Sequence, residues 1–241
     1  MTSPDSDTRP VPSPGGTGAA LTDAWLVIPL FNEATVVRQV IEEARERFPG
    51  VVVVDDGSHD DSAQEAEAAG AMVVRHPINL GQGAALQTGF DYVLEYTDAA
   101  YAVTFDADGQ HSVDDAAAMV EAARSQDLAI VLGSRFLKGP SPVGPLKRLI
   151  LRTAAAVSSR TSGMRLTDAH NGLRVLRRDA LMQINLTQNR MAHASEIIRQ
   201  IGATGLPWRE MPVTITYTEY SKAKGQSLWN SVNILVDLAF S

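Results

Sequence analysis

The chain has 241 residues, of which 44% are hydrophobic and 20% are charged, an ordinary composition for a globular protein. Its formal net charge of -7 argues against a broadly basic surface, so we expect no nucleic-acid partner. The absence of cysteine excludes disulfides and thiolate metal sites, which leaves oxygen atoms and histidine nitrogens as metal ligands.

The N-terminal segment, residues 1–22, is rich in Pro, Ser, Gly and Asp and has few side chains to bury. This composition predicts a disordered tail. The segment lacks the basic start and apolar centre of a secretory signal, and no run of the chain approaches the ~20 apolar residues that span a bilayer. We therefore expect a cytoplasmic protein whose folded domain comprises residues 23–227.

Short apolar strands alternate with helical segments as far as Ser134. The strands read WLVIPL, VVVVDD, AMVVR, YAVTF and LAIVLGS, and helical patterns begin near residues 33, 60, 81 and 113. Such alternation predicts βαβ units. The expected fold is α/β, with a mostly parallel central sheet and flanking helices.

The rhythm changes after the motif GSRF. A Pro/Gly loop, KGPSPVGP, precedes a helix predicted from residue 146 to about residue 162. NGLRVLRRDAL predicts a strand followed by a helix, ASEIIRQIGATG a helix, and REMPVTITYTEY a strand whose proline favours an edge position. Residues 228–241 are predicted to form an amphipathic C-terminal helix.

Two groups of charged or titratable residues receive no site role from the sequence. We interpret Arg174, Arg177 and Arg178 as a solvated basic face. Four of the five histidines are expected to be structural or solvated, and none of the four is assigned a proton transfer; these are His76, His111, His170 and His193.

Polar clusters follow the first four predicted strands, where ligands bind in parallel α/β sheets. In DDGSHDDS we expect Asp56 to bind a base or a ribose hydroxyl, whereas Ser58, Asp60 and Asp61 could equally cap the next helix. In NLGQGAA, Gly81 and Gly83 permit either close approach of a ligand to a helix N-terminus or close packing of the helix on the sheet.

The fourth cluster, DADGQHS, carries two carboxylates at positions i and i+2. On an extended chain Asp106 and Asp108 project side by side, and close carboxylates favour a shared cation. Mg²⁺ or Mn²⁺ prefers such oxygen ligands and can bridge a diphosphate. The alternative, that both acids cap the helix after His111, accounts for only one of them.

In this order, IPLFNE, VVDDGSHD, NLGQGAA, FDADGQH and GSRF resemble the inverting family 2 glycosyltransferases of the GT-A fold. More narrowly, the chain resembles the dolichyl- or polyprenyl-phosphate sugar synthases, and TDAHNGLR and KAKGQS fit their later motifs. The resemblance extends from about Trp25 to Ser227. It implies transfer of a sugar from a nucleotide-diphosphate sugar to a polyprenyl phosphate, with Mg²⁺ or Mn²⁺ as cofactor.

The resemblance also implies a set of site residues. The nucleotide-sugar pocket would contain Pro29, Phe31, Glu33, Asp56, Lys222, Lys224 and Ser227, to which the glycine turn adds Gly83. The metal and the donor diphosphate would be held by Asp106, Asp108 and Gln110. The acceptor phosphate would meet Arg135, Arg148 and Arg152.

Asp168 corresponds to an acid near the family's reacting centre, so that the expected catalytic set is Asp106, Asp108, Asp168 and Arg135. Asp168 could act as a general base, orient the acceptor or an arginine, or cap the turn before Gly172. The sequence departs from the family's usual residues at Phe31, Gln82, Asn171, Leu173 and Lys222, which leaves the identity of the sugar open.

The implied acceptor lies in a membrane, so we expect peripheral association with the cytoplasmic face of the inner membrane. The helix from residue 146 suits either the membrane interface or a partly buried position. The C-terminal helix could pack on the domain, on a second copy or on a small membrane-anchoring protein. Two other functions stay open: a glycosyltransferase with a hydroxyl acceptor, and a non-catalytic nucleotide-sugar-binding regulator.

Overall fold

The computed structural model describes residues 19–137, 153, 155–156, 158–190 and 192–216. The C-terminal helix predicted for residues 228–241 lies outside this part of the chain, as does most of the helix predicted from residue 146, although residues 158–162 are helical. Five residues predicted for the site also lie outside the described residues, namely Arg148, Arg152, Lys222, Lys224 and Ser227.

The described elements follow the predicted alternation. In chain order they are β1 (Ala24–Leu30), α1 (Val37–Arg45), β2 (Gly50–Asp55), α2 (Ser62–Ala68), β3 (Met72–Arg75), α3 (Gln82–Tyr96), β4 (Tyr101–Thr104), α4 (Val113–Ser125), β5 (Ile130–Ser134), β6 (Arg174–Arg177), α5 (Arg178–Leu181), α6 (His193–Thr204) and β7 (Trp208–Pro212).

The strands described form one sheet in the order β3-β2-β1-β4-β6-β5-β7. Neighbouring strands are parallel, except that β6 runs antiparallel to both β4 and β5. The predicted α/β fold with a mostly parallel sheet is confirmed. The reversed β6 brings its first residue to the edge where β4 ends, because Thr104 pairs with Arg174.

The core consists of two apolar layers, one on each face of the sheet. Alternate residues of a strand point to opposite faces. In β2, Val51 and Val53 accordingly join the layer beneath α1, α2 and α4, whereas Val52 joins the layer beneath α3 and α6. Burial on both faces explains why β2 reads as a continuous run of valines.

Local sequence signals account for the start of α4 and the end of α6. Ser112 caps α4 by accepting a hydrogen bond from the backbone N–H of Asp115, 3.2 Å away, and Asp114 and Asp115 add favourable charge to the first turn. Helix α6 ends at Gly205, whose φ of +64° is the left-handed conformation typical of a helix terminus. Gly89 lets α3 approach β1, since a Cβ there would lie 2.3 Å from Cγ1 of Val27.

The structure corrects two predicted boundaries. Leu21, assigned to the tail, is buried, and its backbone N–H donates to the carbonyl of Arg47 at 2.7 Å. A single leucine in a Pro/Gly/Ala-rich context gives no periodic signal, so composition placed it outside the core. The predicted last strand lies at the sheet edge as expected, but β7 ends at Pro212.

The prediction of a solvated basic face formed by three arginines is wrong for two of them. Arg174 is buried, with 3% of its surface exposed. Arg178 donates to four backbone carbonyls at the end of α3 and in the following turn, those of Val93, Leu94, Thr97 and Ala99. Arg177 and Arg178 are each partly exposed, and Arg177 pairs with Asp127 and Asp179. Charge in a sequence does not distinguish a solvated guanidinium from one that satisfies buried carbonyls.

Candidate active site

A cleft of about 820 Å³ opens at the carboxyl ends of β1, β2 and β4. Because parallel strands end at one edge of the sheet, the loops that follow them converge there. The cleft is lined by most of the predicted site residues that the structure describes, namely Pro29, Phe31, Glu33, Asp56, Asp106, Asp108, Gln110 and Arg135. The two predicted residues absent from this lining are Gly83 and Asp168.

Asp106 lies directly beyond β4 and is held by neighbours on two sides. Its Oδ2 is 2.9 Å from Nε2 of His111, and its Oδ1 accepts from Nε2 of Gln82 at 3.3 Å. Burial alone would raise the pKa of the Asp106 carboxyl, but the hydrogen bond to His111 and the charge of Arg174 hold that pKa below its usual value. Asp106 is therefore ionised at neutral pH.

Asp108 shares the cleft with Asp106 but does not continue the strand. Strand β4 ends at Thr104, residues 107–108 form a turn, and Gly109 has a φ of +71°. The side-by-side arrangement predicted from an extended chain is thus replaced by a turn. Neither acid caps α4, because Ser112 does so. Burial and the charge of Asp106 raise the pKa of Asp108 to about 6.

The two carboxylates fit a divalent cation that completes its shell elsewhere. Among the described residues, no three His, Asp or Glu side chains form a ready metal cage. Mg²⁺ is commonly held by one or two carboxylates together with substrate phosphates and water. The raised pKa of Asp108 marks a carboxylate whose negative charge lacks compensation, as expected of a cation ligand.

Asp56 lies in the cleft, but its carboxylate also closes the loop after β3. Its Oδ2 accepts from the backbone N–H of Gly81 at 2.7 Å, and its Oδ1 accepts from that of Leu80 at 2.9 Å. Oδ1 is also 2.8 Å from Nδ1 of His76. Asp56 therefore organises the glycine turn, whether or not it also meets a ligand.

The two glycines of that turn have different surroundings. Gly81, with a φ of +107°, lines the cleft. A Cβ on Gly83 would lie 2.1 Å from the carbonyl oxygen of Gln188 and 2.7 Å from Cβ of His193. Gly83 thus permits close packing of α3 against the segment before α6. The packing interpretation accounts for Gly83, which does not line the cleft.

The serines and acids after β2 hold the loop that follows β1. Ser58 Oγ accepts from the N–H of Asn32 at 3.0 Å, and Ser62 Oγ accepts from that of Glu33 at 2.7 Å. Asp60 accepts from the N–H of Ala34 at 3.3 Å and from that of Ser62 at 3.0 Å. Asp61 occupies the position before α2. These residues fix the backbone that presents Phe31 and Glu33 to the cleft.

On the other side of the cleft, Arg135 is oriented by Asp168. Oδ2 of Asp168 accepts from Nε of Arg135 at 2.6 Å and from its backbone N–H at 3.1 Å. Nη2 of Arg135 donates to the carbonyl of His170 at 3.1 Å. The Asp168 side chain is 1% exposed and does not line the cleft, so the geometry favours orientation of the arginine over proton abstraction.

A second acid supports that pair from β7. The carboxylate of Glu210 accepts from the backbone N–H groups of Thr167 and Asp168 at 2.9 and 3.0 Å. Thr167 Oγ1 is in turn 2.6 Å from Ser134 Oγ, at the end of β5. Burial raises the pKa of the Glu210 carboxyl. The loop that bears Asp168 is thereby fixed to two strands.

Several residues of the site were not identified from the sequence. Gln82, His111, His170 and Arg190 line the cleft, and Glu196 accepts from the backbone N–H groups of Thr187 and Gln188, just before Arg190. Glu196 had a usable signal, because it is an acid on the buried face of α6. Arg190 had none, since a lone arginine in a loop between two elements is ordinary.

Comparison with known proteins agrees with this geometry. The family model described as Glycosyl transferase family 2 matches residues 25–184, so the chain belongs to that family of glycosyltransferases. A UDP-N-acetylglucosamine–dolichyl-phosphate N-acetylglucosaminyltransferase of Methanococcus voltae is 29% identical over 85% of this chain and 90% of its own length. An undecaprenyl-phosphate mannosyltransferase of Micrococcus luteus is 32% identical over 66% of this chain and 68% of its own.

The fold is the GT-A fold. Glucosyl-3-phosphoglycerate synthase from Mycobacterium tuberculosis, solved with Mn²⁺, UDP and glucosyl-3-phosphoglycerate, superposes with a TM-score of 0.63 at 17% identity, covering 90% of this chain and 80% of that one. Among the residues described here, no helix has the length and apolar character needed to cross a membrane.

Proposed function

We propose that this glycosyltransferase transfers a sugar from a nucleoside-diphosphate sugar to a polyprenyl phosphate, with inversion and with a divalent cation bound at Asp106 and Asp108. The observation that carries the proposal is that these two carboxylates and Arg135 line one cleft. A cation-bound diphosphate and a phosphate acceptor need these opposite charges in a single site. The two relatives named for lipid-phosphate acceptors support the same acceptor class.

The donor would occupy the half of the cleft formed by β1, β2 and β4. Pro29 and Phe31 supply apolar surface at its rim, and the Phe31 ring lies 6.4 Å from that of His59 in an edge-on arrangement. Such a surface suits the flat face of a nucleobase. The diphosphate would then lie near Asp106 and Asp108.

The metal site would be formed by Asp106 and Asp108, with Gln110 adjacent. Gln110 is buried, and its backbone N–H donates to Oδ1 of Asp108 at 3.0 Å, which fixes that carboxylate. A divalent cation bound there stabilises the negative charge that builds on the departing diphosphate. The neighbours in the fold that were solved with UDP and with Mn²⁺ or Mg²⁺ support this assignment.

The acceptor phosphate would be bound by Arg135. Its guanidinium is preorganised by Asp168 and the His170 carbonyl, so little conformational entropy is lost when it binds an anion. A phosphate monoester, with a second pKa of about 6, is largely dianionic at neutral pH and needs no general base. This agrees with the burial of Asp168 behind Arg135.

The reaction is then a single displacement. An oxygen of the acceptor phosphate forms a bond to the anomeric carbon while the bond from that carbon to the diphosphate oxygen breaks. The leaving nucleoside diphosphate takes the electron pair, and the configuration at the anomeric carbon inverts. Asp106 and Asp108 hold the donor, Arg135 orients the nucleophile, and no protein group gains or loses a proton.

A donor screen tests the proposal. The protein would be incubated with Mn²⁺ or Mg²⁺, a short polyprenyl phosphate and one radiolabelled nucleotide sugar at a time, followed by extraction into organic solvent. We expect label in the lipid phase with one donor, lost in Asp108→Ala. Release of nucleotide without labelled lipid would instead indicate a hydroxyl acceptor or hydrolysis. Nucleotide-sugar binding without any turnover would favour the non-catalytic regulator.

We also propose that the protein acts at the surface of a membrane, because a polyprenyl phosphate resides there. Cosedimentation with liposomes that contain polyprenyl phosphate tests this, with liposomes of the same lipids without it as the control. Recovery of all the protein in the supernatant of both would contradict the proposal.

A further inference from the structure

A second, smaller cavity of about 140 Å³ lies beside Asp106, between the first turns of α3 and α6 and the end of β4. It adjoins the cleft, because Gln82, Asp106 and Gly172 line both spaces. Its volume exceeds that of one water molecule several-fold. The space is therefore large enough for a substituent of a ligand bound in the cleft.

Arg174 in the wall of this cavity has unused donors. Its guanidinium makes no hydrogen bond to any residue that the structure describes, although only 3% of the residue is exposed. Burial lowers its pKa to about 10, which still leaves a cation at neutral pH. A guanidinium has five N–H donors, and Arg174 lines the cavity. The cavity can thus receive acceptor oxygens, of water or of a ligand.

His193 supplies the complementary acceptor. Its Nδ1 is 2.7 Å from the carbonyl oxygen of Arg190, and because a carbonyl can only accept, Nδ1 carries the ring proton. Nε2 is then the acceptor atom of the ring. Burial keeps the pKa of His193 below its usual value, so the ring is neutral. Leu86 and Ala194 add apolar surface to the wall, which Gln82, Thr104 and His170 also line.

These walls match hydroxyl groups better than a charged group. A hydroxyl accepts from Arg174 and can donate to His193, whereas a carboxylate can only accept. A hydroxyl-bearing group can therefore bond to both side chains, whereas a carboxylate can bond only to Arg174.

We propose that this cavity receives the hydroxyl-bearing edge of a neutral hexose on the donor, with Arg174 and His193 as the residues that determine its specificity. The inference rests on the proposed function, in which the donor diphosphate lies at Asp106. It assigns the sugar to a place separate from the nucleotide. A site built to bond hydroxyls rejects a sugar that lacks them, because its own polar groups are then left unpaired.

The test compares binding of nucleotide sugars with binding of the nucleotides alone. Calorimetry with Mn²⁺ would use UDP, UDP-glucose, UDP-N-acetylglucosamine, GDP and GDP-mannose as probes, without any acceptor. Ala194→Leu fills the cavity from α6. We expect this variant to lose about tenfold or more in affinity for the preferred nucleotide sugar, and to bind the corresponding nucleoside diphosphate as the wild type does.

Two further variants make the result specific. Ala203→Leu introduces the same side chain at an exposed position of α6 and should bind every probe like the wild type. Arg174→Lys keeps the charge but loses the planar set of donors. This variant should bind the nucleotide sugar more weakly and the nucleotide as the wild type does. Thermal unfolding of each variant checks that it is folded.

Each other outcome contradicts the inference. If Ala194→Leu loses equal affinity for the nucleotide and for the nucleotide sugar, or loses affinity for neither, the sugar binds elsewhere. Preference for a nucleotide hexuronate, added as a further probe, would contradict the assignment to a neutral sugar. If the wild type binds a nucleotide sugar but labels no lipid, the proposed acceptor is wrong and the sugar site is still tested. If it binds no probe, both proposals fail.

Discussion

Gly172 and Asp106 lie so close together that a Cβ on the glycine would be 2.4 Å from Oδ2 of the aspartate. The contact joins the start of β6 to the end of β4, two strands that run in opposite directions. Thr104 Oγ1 donates to the carbonyl of Gly172 and fixes the glycine in place. The orientation of the Asp106 carboxylate therefore depends on the absence of a side chain at position 172.

Gly172→Ala should displace Asp106 and reduce kcat/KM by about 100-fold, the effect expected of a misplacement of about 1 Å at a reacting centre. The matched control is Gly202→Ala, where a Cβ would lie 2.2 Å from the carbonyl oxygen of Ser162. That variant should lose stability, measured by thermal unfolding, but its folded fraction should keep its activity. Equal activity losses in the two variants would show that the effect of Gly172→Ala is general destabilisation.

Glu210→Gln should loosen the loop that bears Asp168 and thereby Arg135. The Glu210 carboxylate accepts from the backbone N–H groups of Thr167 and Asp168. In the glutamine variant one of its two oxygens is replaced by an NH₂ group, which cannot accept these hydrogen bonds. We expect KM for the lipid phosphate to rise about tenfold while KM for the nucleotide sugar stays the same. Steady-state kinetics with each substrate varied in turn measures both, and the exposed Glu95→Gln serves as the control. Parallel rises of the two KM values would contradict a positioning role.

Asp108→Asn should stabilise the metal-free protein at pH 7. The pKa of Asp108 is raised to about 6 in the folded state, above the usual value of 3.8, so the folded protein binds the proton more tightly than the unfolded chain. The stability of the wild type consequently falls as pH rises from about 4 to 6. The difference in melting temperature between variant and wild type should vanish below pH 4.

The same titration should appear in metal affinity. Protonation of Asp108 competes with a cation, so the affinity of the wild type for Mn²⁺ should decrease as pH falls through about 6. Asp108→Asn should bind Mn²⁺ weakly at every pH. Calorimetric titrations at several pH values measure this. Wild-type affinity that is independent of pH from 5 to 7 would remove Asp108 from the metal site.

Arg178→Met should be among the most destabilising substitutions outside the cleft. Its guanidinium donates to four backbone carbonyls at the end of α3 and in the following turn, and these lose a charged donor together. We expect the free energy of unfolding to fall by about 3 kcal/mol. Arg177→Met, the adjacent control, breaks only partly exposed ion pairs and should cost less than about 1 kcal/mol. Urea denaturation compares the two, and equal effects would contradict the capping role of Arg178.

The sheet and the cleft residues that follow β1, β2 and β4 could be predicted from the sequence because their signals are local. Runs such as the valines of β2 and the acids after β4 are contiguous in the chain, and strand ends converge by topology alone. The helical pattern predicted to begin near residue 113 begins at Val113 in α4. Strands and site residues are easiest to predict where one contiguous segment of the chain contains the whole motif.

The remainder depends on contacts between distant segments. Glu210 and Asp168 are 42 residues apart, and nothing in either motif indicates that one positions the other. Arg174 and Arg178 looked solvated because their surroundings are decided by the antiparallel placement of β6, which the alternating pattern did not predict. The role of Gly83 was ambiguous for the same reason, since the backbone it contacts lies more than 100 residues away.

The reversed strand β6 also has an implication for how the family diversifies. Its register is fixed by pairing with β4 on one side and β5 on the other, so Gly172 keeps its place irrespective of the chain that joins β5 to β6. That connecting chain carries Arg135 at its start and Asp168 near its end. Under the proposed function, insertions, deletions and exchanges within it would alter which acceptor is bound and would leave the residues proposed for the donor in place. Acceptor range would then be a separable, graftable trait of the scaffold.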